Sequence, residues 1–150
     1  MSLNHQQVIA YENIEVERRG HVTLVKLNRP AALNALNTGL MRDVEQVSRG
    51  FMDDEQTRVV VFVGNGKHFS AGADLKAPSV EPPPTMVMRR RQHGLGARMI
   101  RAIIEIPQVT IAAIQGAALG GGVCIPAACD FRSGAEDCFC GYPEVNLGIN

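Results

Sequence analysis

Small side chains fill two segments of the sequence, and each segment directly follows a run that predicts a buried strand. Residues 69–76, Phe-Ser-Ala-Gly-Ala-Asp-Leu-Lys, follow the β-branched run at 59–63, and residues 118–122, Ala-Leu-Gly-Gly-Gly, follow the apolar run at 109–114. In open α/β folds the carboxyl ends of strands face the ligand crevice. Small residues there let a ligand oxygen approach backbone N–H groups. Either segment alone is typical of a tight turn, but the pair indicates an oxyanion hole, which needs donors from two segments.

A glutamate, Glu144, follows the second segment and offers a carboxylate for acid/base chemistry. It stands between Pro143 and Val145, with Leu147 close behind. Such apolar neighbours desolvate a carboxyl and suit it to the role of general acid or base. On its own Glu144 is more typical of an exposed loop, so its assignment depends on the pattern around it.

The elements that must position these residues alternate along the chain. Their order predicts an α/β fold with repeated crossover units, recurring about every 45–50 residues as stacked ββα turns. Hydrophobic periodicity and turn residues place the elements. They are two strands within 13–27, a helix capped by Asn37 or Thr38, a strand at 59–63 covered on both faces, a helix carrying Leu95 to Ile106, a second such strand at 109–114, and a short apolar helix after Gly120.

Composition excludes several classes of function. The chain has 150 residues, 45% of them hydrophobic, with 15 basic and 15 acidic side chains, so it is globular and carries no global field for nucleic acid. The arginines at 89–91, 98 and 101 are best explained as a solvated helix face. Apolar runs of five or six residues are too short to cross a bilayer, and no signal peptide is evident. We therefore expect a cytoplasmic protein with no membrane or nucleic-acid partner.

Cysteine and histidine spacing predicts no metal site. The cysteines Cys124, Cys129, Cys138 and Cys140 match no zinc template and are expected to be small, reduced core residues. The histidines at 5, 21, 68 and 93 are scattered. Of these, His68 lies beside the first small-residue segment, where it is either a ligand contact or, more commonly, a loop residue.

Together these segments resemble the signature regions of the crotonase (enoyl-CoA hydratase/isomerase) superfamily. The likeness runs in family order from about residue 12 to the last residue, whereas both Gly-rich phosphate-loop patterns are missing from the sequence. The residues that carry it are Leu27-Asn-Arg-Pro30, Asn34-Ala-Leu36, residues 69–76, Gly116-Ala-Ala-Leu-Gly-Gly-Gly122, Cys129-Asp130 and Pro143-Glu-Val-Asn-Leu-Gly148.

The resemblance implies the ClpP/crotonase fold, a spiral of stacked ββα units, in residues 12–150. Residues 1–11 are expected to be a flexible N-terminus or a cloning remnant. Family domains continue well past the position of Asn150, so we expect this core to be the N-terminal portion of a larger domain. The family also implies a homotrimer or a dimer of trimers.

The resemblance further implies a coenzyme A thioester substrate, with coenzyme A carried on the substrate rather than bound as a separate cofactor. Its carbonyl oxygen would be held by the N–H groups of Ala73 and Gly121, and Glu144 would be the acid/base. Lys76 would approach the CoA phosphates, although a solvated lysine is as well supported. Family members often carry a basic residue where this chain has Ala31. The remaining residues implied to border CoA are Ala71, Asp74, Leu75 and Gly120.

The carboxylates at two family positions distinguish hydration from double-bond isomerisation. Hydratases of this family usually place one glutamate two residues after the triple glycine, where this chain has Cys124, and a second where it has Glu144. Hydration commonly uses both groups, whereas moving a double bond needs one base. The chain is therefore predicted to be an enzyme that favours double-bond isomerisation. A divergent hydratase and a non-catalytic acyl-CoA-binding protein remain the alternatives, and Cys124 itself is best explained as a packing residue.

Overall fold

A six-stranded sheet forms the frame of the computed structural model, which describes residues 7–76, 86–143 and 145, with the backbone alone for 7–10 and 87–93. The strand order is β1-β2-β3-β4-β5-β7. The first three strands pair antiparallel, and the pairs β3–β4, β4–β5 and β5–β7 are parallel. The strands of this sheet are β1 (Gln7–Ala10), β2 (Ile14–Arg19), β3 (Val22–Leu27), β4 (Val59–Gly64), β5 (Val109–Ile114) and β7 (Phe131–Gly134).

Helices make the crossovers that parallel pairing requires. The helices are α1 (Thr38–Gly50) between β3 and β4, α2 (Met86–Ile104) between β4 and β5, and α3 (Gly121–Ala128) between β5 and β7. The predicted cap of α1 is confirmed, since the Asn37 side chain accepts a hydrogen bond from the Leu40 N–H at 2.8 Å. One face of each helix packs on the sheet, so the three helices and the sheet share one core.

A second, smaller sheet lies at the carboxyl ends of the parallel strands. It pairs β6 (Ala117–Leu119) with β8 (Phe139–Gly141) in parallel. Two isolated bridges extend it, Ser70 to Ala118 and Leu36 to Ala73. Both predicted small-residue segments therefore belong to this second layer.

The central strands differ from the prediction that both of their faces are covered. Val60 and Phe62 of β4 are fully buried, whereas Val59, Val61 and Val63 on the other face are only half-buried. The three described helices cover the first face. The residues on the second face are also β-branched and apolar, so the hydropathy of the sequence does not show the alternation between the two faces.

Strand β1 was not predicted, because its four residues lie in the segment expected to be a flexible N-terminus. It pairs antiparallel with β2, with Gln7 opposite Arg18 and Ala10 opposite Glu15. The strand has only four residues, so its own sequence signal is weak, and the edge of β2 supplies the pairing.

A buried carboxylate on β2 makes stability depend on pH. Glu17 is 2% exposed and lies 2.6 Å from Arg19 Nε and 2.5 Å from Lys26 Nζ. Hydrogen bonds from Arg19 and then Lys26 lower the pKa of Glu17 to about 2. A carboxyl whose pKa is lowered by folding stabilises the fold above its unfolded pKa, roughly 4.3, and this contribution is lost as pH falls towards 2.

Urea unfolding between pH 7 and pH 2.5 is therefore expected to show a midpoint that falls below pH 4.5, and Glu17→Gln is expected to flatten this fall. The exposed Glu55→Gln replacement controls for the loss of one acidic group. An equally steep fall in Glu17→Gln would contradict the assignment.

Candidate active site

The two small-residue segments lie side by side and run in parallel. The Ser70 N–H donates to the Ala117 carbonyl at 3.0 Å, and the Leu119 N–H donates to the Ser70 carbonyl at 2.9 Å. One residue earlier, the Phe69 N–H donates to the Gln115 carbonyl at 2.9 Å. Segments that follow different strands of the main sheet are thus joined by backbone hydrogen bonds.

The amide of Ala73 is left without a partner by this pairing. The Leu36 N–H donates to the Gly72 carbonyl at 2.7 Å, and the Asp74 N–H donates to the Leu36 carbonyl at 3.3 Å. In a parallel bridge these bonds use the residues on either side of Ala73, so the Ala73 N–H points away from Leu36. Among the described residues it forms no hydrogen bond. Ala73 is exposed, which leaves this donor available to a ligand.

Two glycines allow this close approach of backbones. Gly72 has φ of +86°, and a Cβ there would lie 2.6 Å from the Leu119 carbonyl oxygen. Gly120 precedes α3 with φ of 51°, and its N–H donates to the Gly141 carbonyl at 2.8 Å. Neither position accepts a side chain without strain.

Gly121 is the first residue of α3, so its N–H has no partner within the helix. The helix dipole adds positive potential at this end and favours an anionic oxygen. Gly122 in the same turn packs on Ser70 so closely that a Cβ would lie 2.8 Å from the Ser70 side chain. The start of α3 is thereby fixed against the first segment.

Ala73 and Gly121 line the same cavity, which has a volume of about 790 Å³ and mostly apolar walls. It lies between the helices and the second sheet, and Cys124 forms part of its wall. Its other lining residues are Leu36, Met41, Gly96, Ala97, Met99, Ile100, Arg101, Ile104 and Glu105. A cavity of this kind suits an apolar chain whose oxygen atom lies between the two amides.

A neighbouring cleft of about 480 Å³ is more polar. Asp74 forms an ion pair with Arg29 Nη1 at 2.9 Å and accepts a hydrogen bond from the Lys76 N–H at 3.1 Å. The Asp74 carboxylate therefore holds the chain in place, while the exposed Leu75 and Lys76 side chains face the cleft. Ala31, at the position where family members often carry a basic residue, also lines the cleft. The basic side chains in the cleft lining are therefore those of Arg29 and Lys76.

The other predicted CoA contacts have backbone roles in the structure. The Ala71 N–H donates to the Leu33 carbonyl at 2.9 Å, and Gly120 is bonded to Gly141 as described above. His68 Nδ1 accepts a hydrogen bond from the Ala117 N–H at 3.0 Å, so this histidine ties the two segments together.

Glu144 lies outside the described residues, so its role in the site stays a prediction. Strand β8 ends at Gly141, whose carbonyl accepts from the Gly120 N–H beside the start of α3.

A buried polar residue, Asn34, was not predicted to act near the site. Its backbone has φ of 54°, and its side-chain amide donates to the carbonyls of Asn65 and His68, each at 2.9 Å. Its side-chain oxygen accepts from the Arg29 N–H at 2.9 Å. Asparagine tolerates positive φ better than most residues. Apart from the family resemblance, this tolerance is the only property of the sequence that could have indicated the role of Asn34.

The cysteines are free thiols with no disulfide among them. Burial raises the pKa of Cys129 to about 12, so it stays a neutral core residue. Cys124 is half-buried at the cavity wall, and Cys140 is exposed. The described residues contain no group of three His, Cys, Asp or Glu side chains that could hold a metal. None of the helices in the described part of the chain combines the length and the hydrophobicity that a membrane span requires.

Comparison with curated proteins finds similar sequences in bacterial enoyl-CoA hydratases. The crotonyl-CoA hydratase of Syntrophomonas wolfei is 36% identical over 143 residues, which cover 94% of this chain and 54% of that protein. The short-chain-enoyl-CoA hydratase of Clostridium acetobutylicum is 37% identical over 139 residues, covering 91% of this chain and 52% of that protein. The chain thus spans about half the length of the curated relatives it matches.

Solved structures of enoyl-CoA hydratases match the fold of this chain over a similar share of their length. An enoyl-CoA hydratase/carnithine racemase from Magnetospirillum magneticum superposes with a TM-score of 0.86 at 27% identity, covering 94% of this chain and 53% of that one. The enoyl-CoA hydratase of Bacillus anthracis gives a TM-score of 0.82 at 35% identity, covering 92% and 53%. The predicted crotonase-like α/β fold is confirmed by these matches.

The sequence model described as "Enoyl-CoA hydratase/isomerase" matches residues 17–150, which is most of the chain. The match includes both small-residue segments and the region around Glu144. Together with the fold and the geometry of the second sheet, it shows that this chain belongs to the enoyl-CoA hydratase/isomerase family of the crotonase superfamily.

Proposed function

We propose that the protein acts on an acyl-CoA thioester and stabilises its enolate through the N–H groups of Ala73 and Gly121. The observation that carries the proposal is that these two amides lack partners among the described residues and line one apolar cavity. Removal of a proton next to a thioester carbonyl places negative charge on the oxygen. Fixed donors stabilise that charge without reorganisation, and loss of one donor typically slows such reactions by about 10²–10³.

The polar cleft beside the cavity supports coenzyme A as the carrier. It opens next to Ala73, and Lys76 supplies a positive charge for phosphate groups, whereas the charge of Arg29 is paired with Asp74. The thioester oxygen would then lie between the amides, with the acyl chain in the 790 Å³ cavity and the CoA portion in the cleft.

Glu144 is the proposed acid/base, and the reaction that we favour is double-bond isomerisation. In this reaction the carboxylate takes a proton from the α carbon of a 3-enoyl thioester and returns it at the γ carbon, which gives the conjugated 2-enoyl thioester. One base suffices for both steps. Cys124 supports this choice, because it places a thiol in the cavity wall where a second carboxylate would assist the attack of water.

Hydration of a 2-enoyl-CoA is the second candidate. The names of the Syntrophomonas wolfei and Clostridium acetobutylicum relatives specify hydratases, and these relatives share more than a third of the aligned residues with this chain. A hydratase that uses Glu144 alone would need to orient water by other groups.

The two reactions are separated by supplying the protein with a 3-enoyl-CoA and, in parallel, a 2-enoyl-CoA. Isomerisation is expected to produce the absorbance of the conjugated thioester from the first substrate. Loss of this absorbance from the second substrate, with no reaction of the first, would establish hydration instead. Absence of both reactions with tight binding of the thioester would support a non-catalytic binding protein.

A further inference from the structure

We propose that Ser70 is the positioning residue that holds the amides of Ala73 and Gly121 in register with each other. The inference rests on the proposed function, because it concerns the same two donors. Ser70 is fully buried in the first segment and pairs with Ala118 of the second, and each segment carries one of the two donors. It is not among the residues that line the cavity, so any effect on a bound thioester must pass through its neighbours.

The hydroxyl of Ser70 fixes the Ala73 side. It donates to the Asn34 carbonyl at 2.8 Å and accepts from the Gly72 N–H at 3.2 Å. Gly72 immediately precedes Ala73, and its positive φ sets the direction in which the Ala73 N–H points. Asn34 is itself fully buried, so the hydroxyl is anchored to a rigid part of the fold.

The backbone and Cβ of Ser70 fix the Gly121 side. Its N–H and carbonyl pair with Ala117 and Leu119, the strand that leads into α3. A Cβ on Gly122 would lie 2.8 Å from the Cβ, the carbonyl oxygen and the Oγ of Ser70. The first turn of α3 therefore rests directly on this serine, and Gly121 lies in that turn.

One residue thus controls the separation of two donors that come from different parts of the chain. Stabilisation of an oxyanion requires both donors at about 2.7–3.1 Å from the same oxygen, so a small displacement of either amide weakens it. Loss of the hydroxyl frees the Gly72 N–H and the Asn34 carbonyl inside the core. We expect the Ala73 amide to shift, while the sheet and helices stay in place.

The test measures the carbonyl group directly. The infrared band of a saturated acyl-CoA carrying a ¹³C label at the thioester carbonyl is recorded free and bound to the protein. Wild type is expected to lower the band frequency, because two hydrogen bonds polarise the carbonyl. Ser70→Ala is expected to lose a large part of this shift and to lower kcat by about 10- to 100-fold, with KM changed less than about twofold.

Ser48→Ala is the matched control. Ser48 is also a fully buried serine, but it lies in α1, and its hydroxyl has no hydrogen-bond partner among the described residues. Its replacement is expected to leave both the band and kcat at wild-type values. A general effect of removing a buried hydroxyl would instead appear in both variants.

A second variant keeps the test valid if Ser70→Ala does not fold. Gly122→Ala leaves the serine intact but pushes on it from α3, and is expected to reduce the shift as well. A wild-type band in either folded variant would overturn the role of Ser70. No shift in the wild-type protein would instead overturn the proposed oxyanion hole, and the role of Ser70 with it.

Discussion

Glu144→Gln is expected to abolish turnover of an enoyl-CoA and to leave binding of the thioester unchanged. The amide keeps the size of the side chain but cannot accept and return a proton. General acid/base groups contribute about 10²–10⁴ to the rate, and the other family position for a carboxylate holds Cys124 in this chain. The expected decrease in kcat is therefore at least about 10²-fold.

The experiment compares steady-state kinetics with calorimetric titration of a saturated acyl-CoA. Glu136→Gln is the control, because it removes an exposed carboxylate close in sequence to Glu144. Full activity in Glu144→Gln would refute the acid/base assignment. Loss of binding together with activity would show that Glu144 maintains the site rather than moving a proton.

Gly121→Pro is expected to lower kcat/KM by about 10²–10³ relative to Gly121→Ala. Proline at this position removes the N–H that is proposed to donate to the thioester oxygen. The first position of a helix tolerates proline well, because its N–H makes no intrahelical bond and its φ is already helical. The loss is therefore expected to be chemical, with α3 intact.

Gly121→Ala is the matched reference for this comparison. Both variants add a Cβ that would lie 3.3 Å from Leu36 Cδ1, but only alanine keeps the donor. The two are compared by kcat/KM and by thermal unfolding, since a similar Tm in both excludes a difference in folding. Equal activity of the two variants would show that the Gly121 amide does not stabilise the transition state.

Local signals made much of the fold predictable. Asn37 precedes an apolar helical pattern, and it caps α1 as expected. Glycine-rich segments after β-branched runs indicated strand ends, and the structure places both segments in one layer beside β8. These features depend on residues close together in the sequence, which is why periodicity and turn chemistry detect them.

Features that depend on distant residues escaped prediction. Ser70 looks like an ordinary small residue, and its contacts with Asn34 and Gly122 exist only after the chain has folded. The ion pair that Arg29 forms with the Asp74 carboxylate at 2.9 Å also exists only in the folded chain. Such contacts join residues that are tens of positions apart in the sequence, so local sequence patterns do not predict them.

Several predictions concern the whole protein rather than the described residues. The cytoplasmic localisation, the homotrimer or dimer of trimers, and the continuation of the domain past the position of Asn150 stay predictions. Binding of CoA without a further cofactor also stays a prediction. The family, in contrast, is shown by the match to residues 17–150.

Exchange of the α protons tests the central claim most directly, because it reports the enolate itself. The protein is incubated with a 3-enoyl-CoA in D₂O, and the thioester is examined by mass spectrometry and NMR. We expect deuterium at the α carbon of recovered substrate or at the γ carbon of the conjugated product, with both signals lost in Glu144→Gln. A bound thioester that acquires no deuterium at either carbon and gives no conjugated product would contradict enolate formation between Ala73 and Gly121.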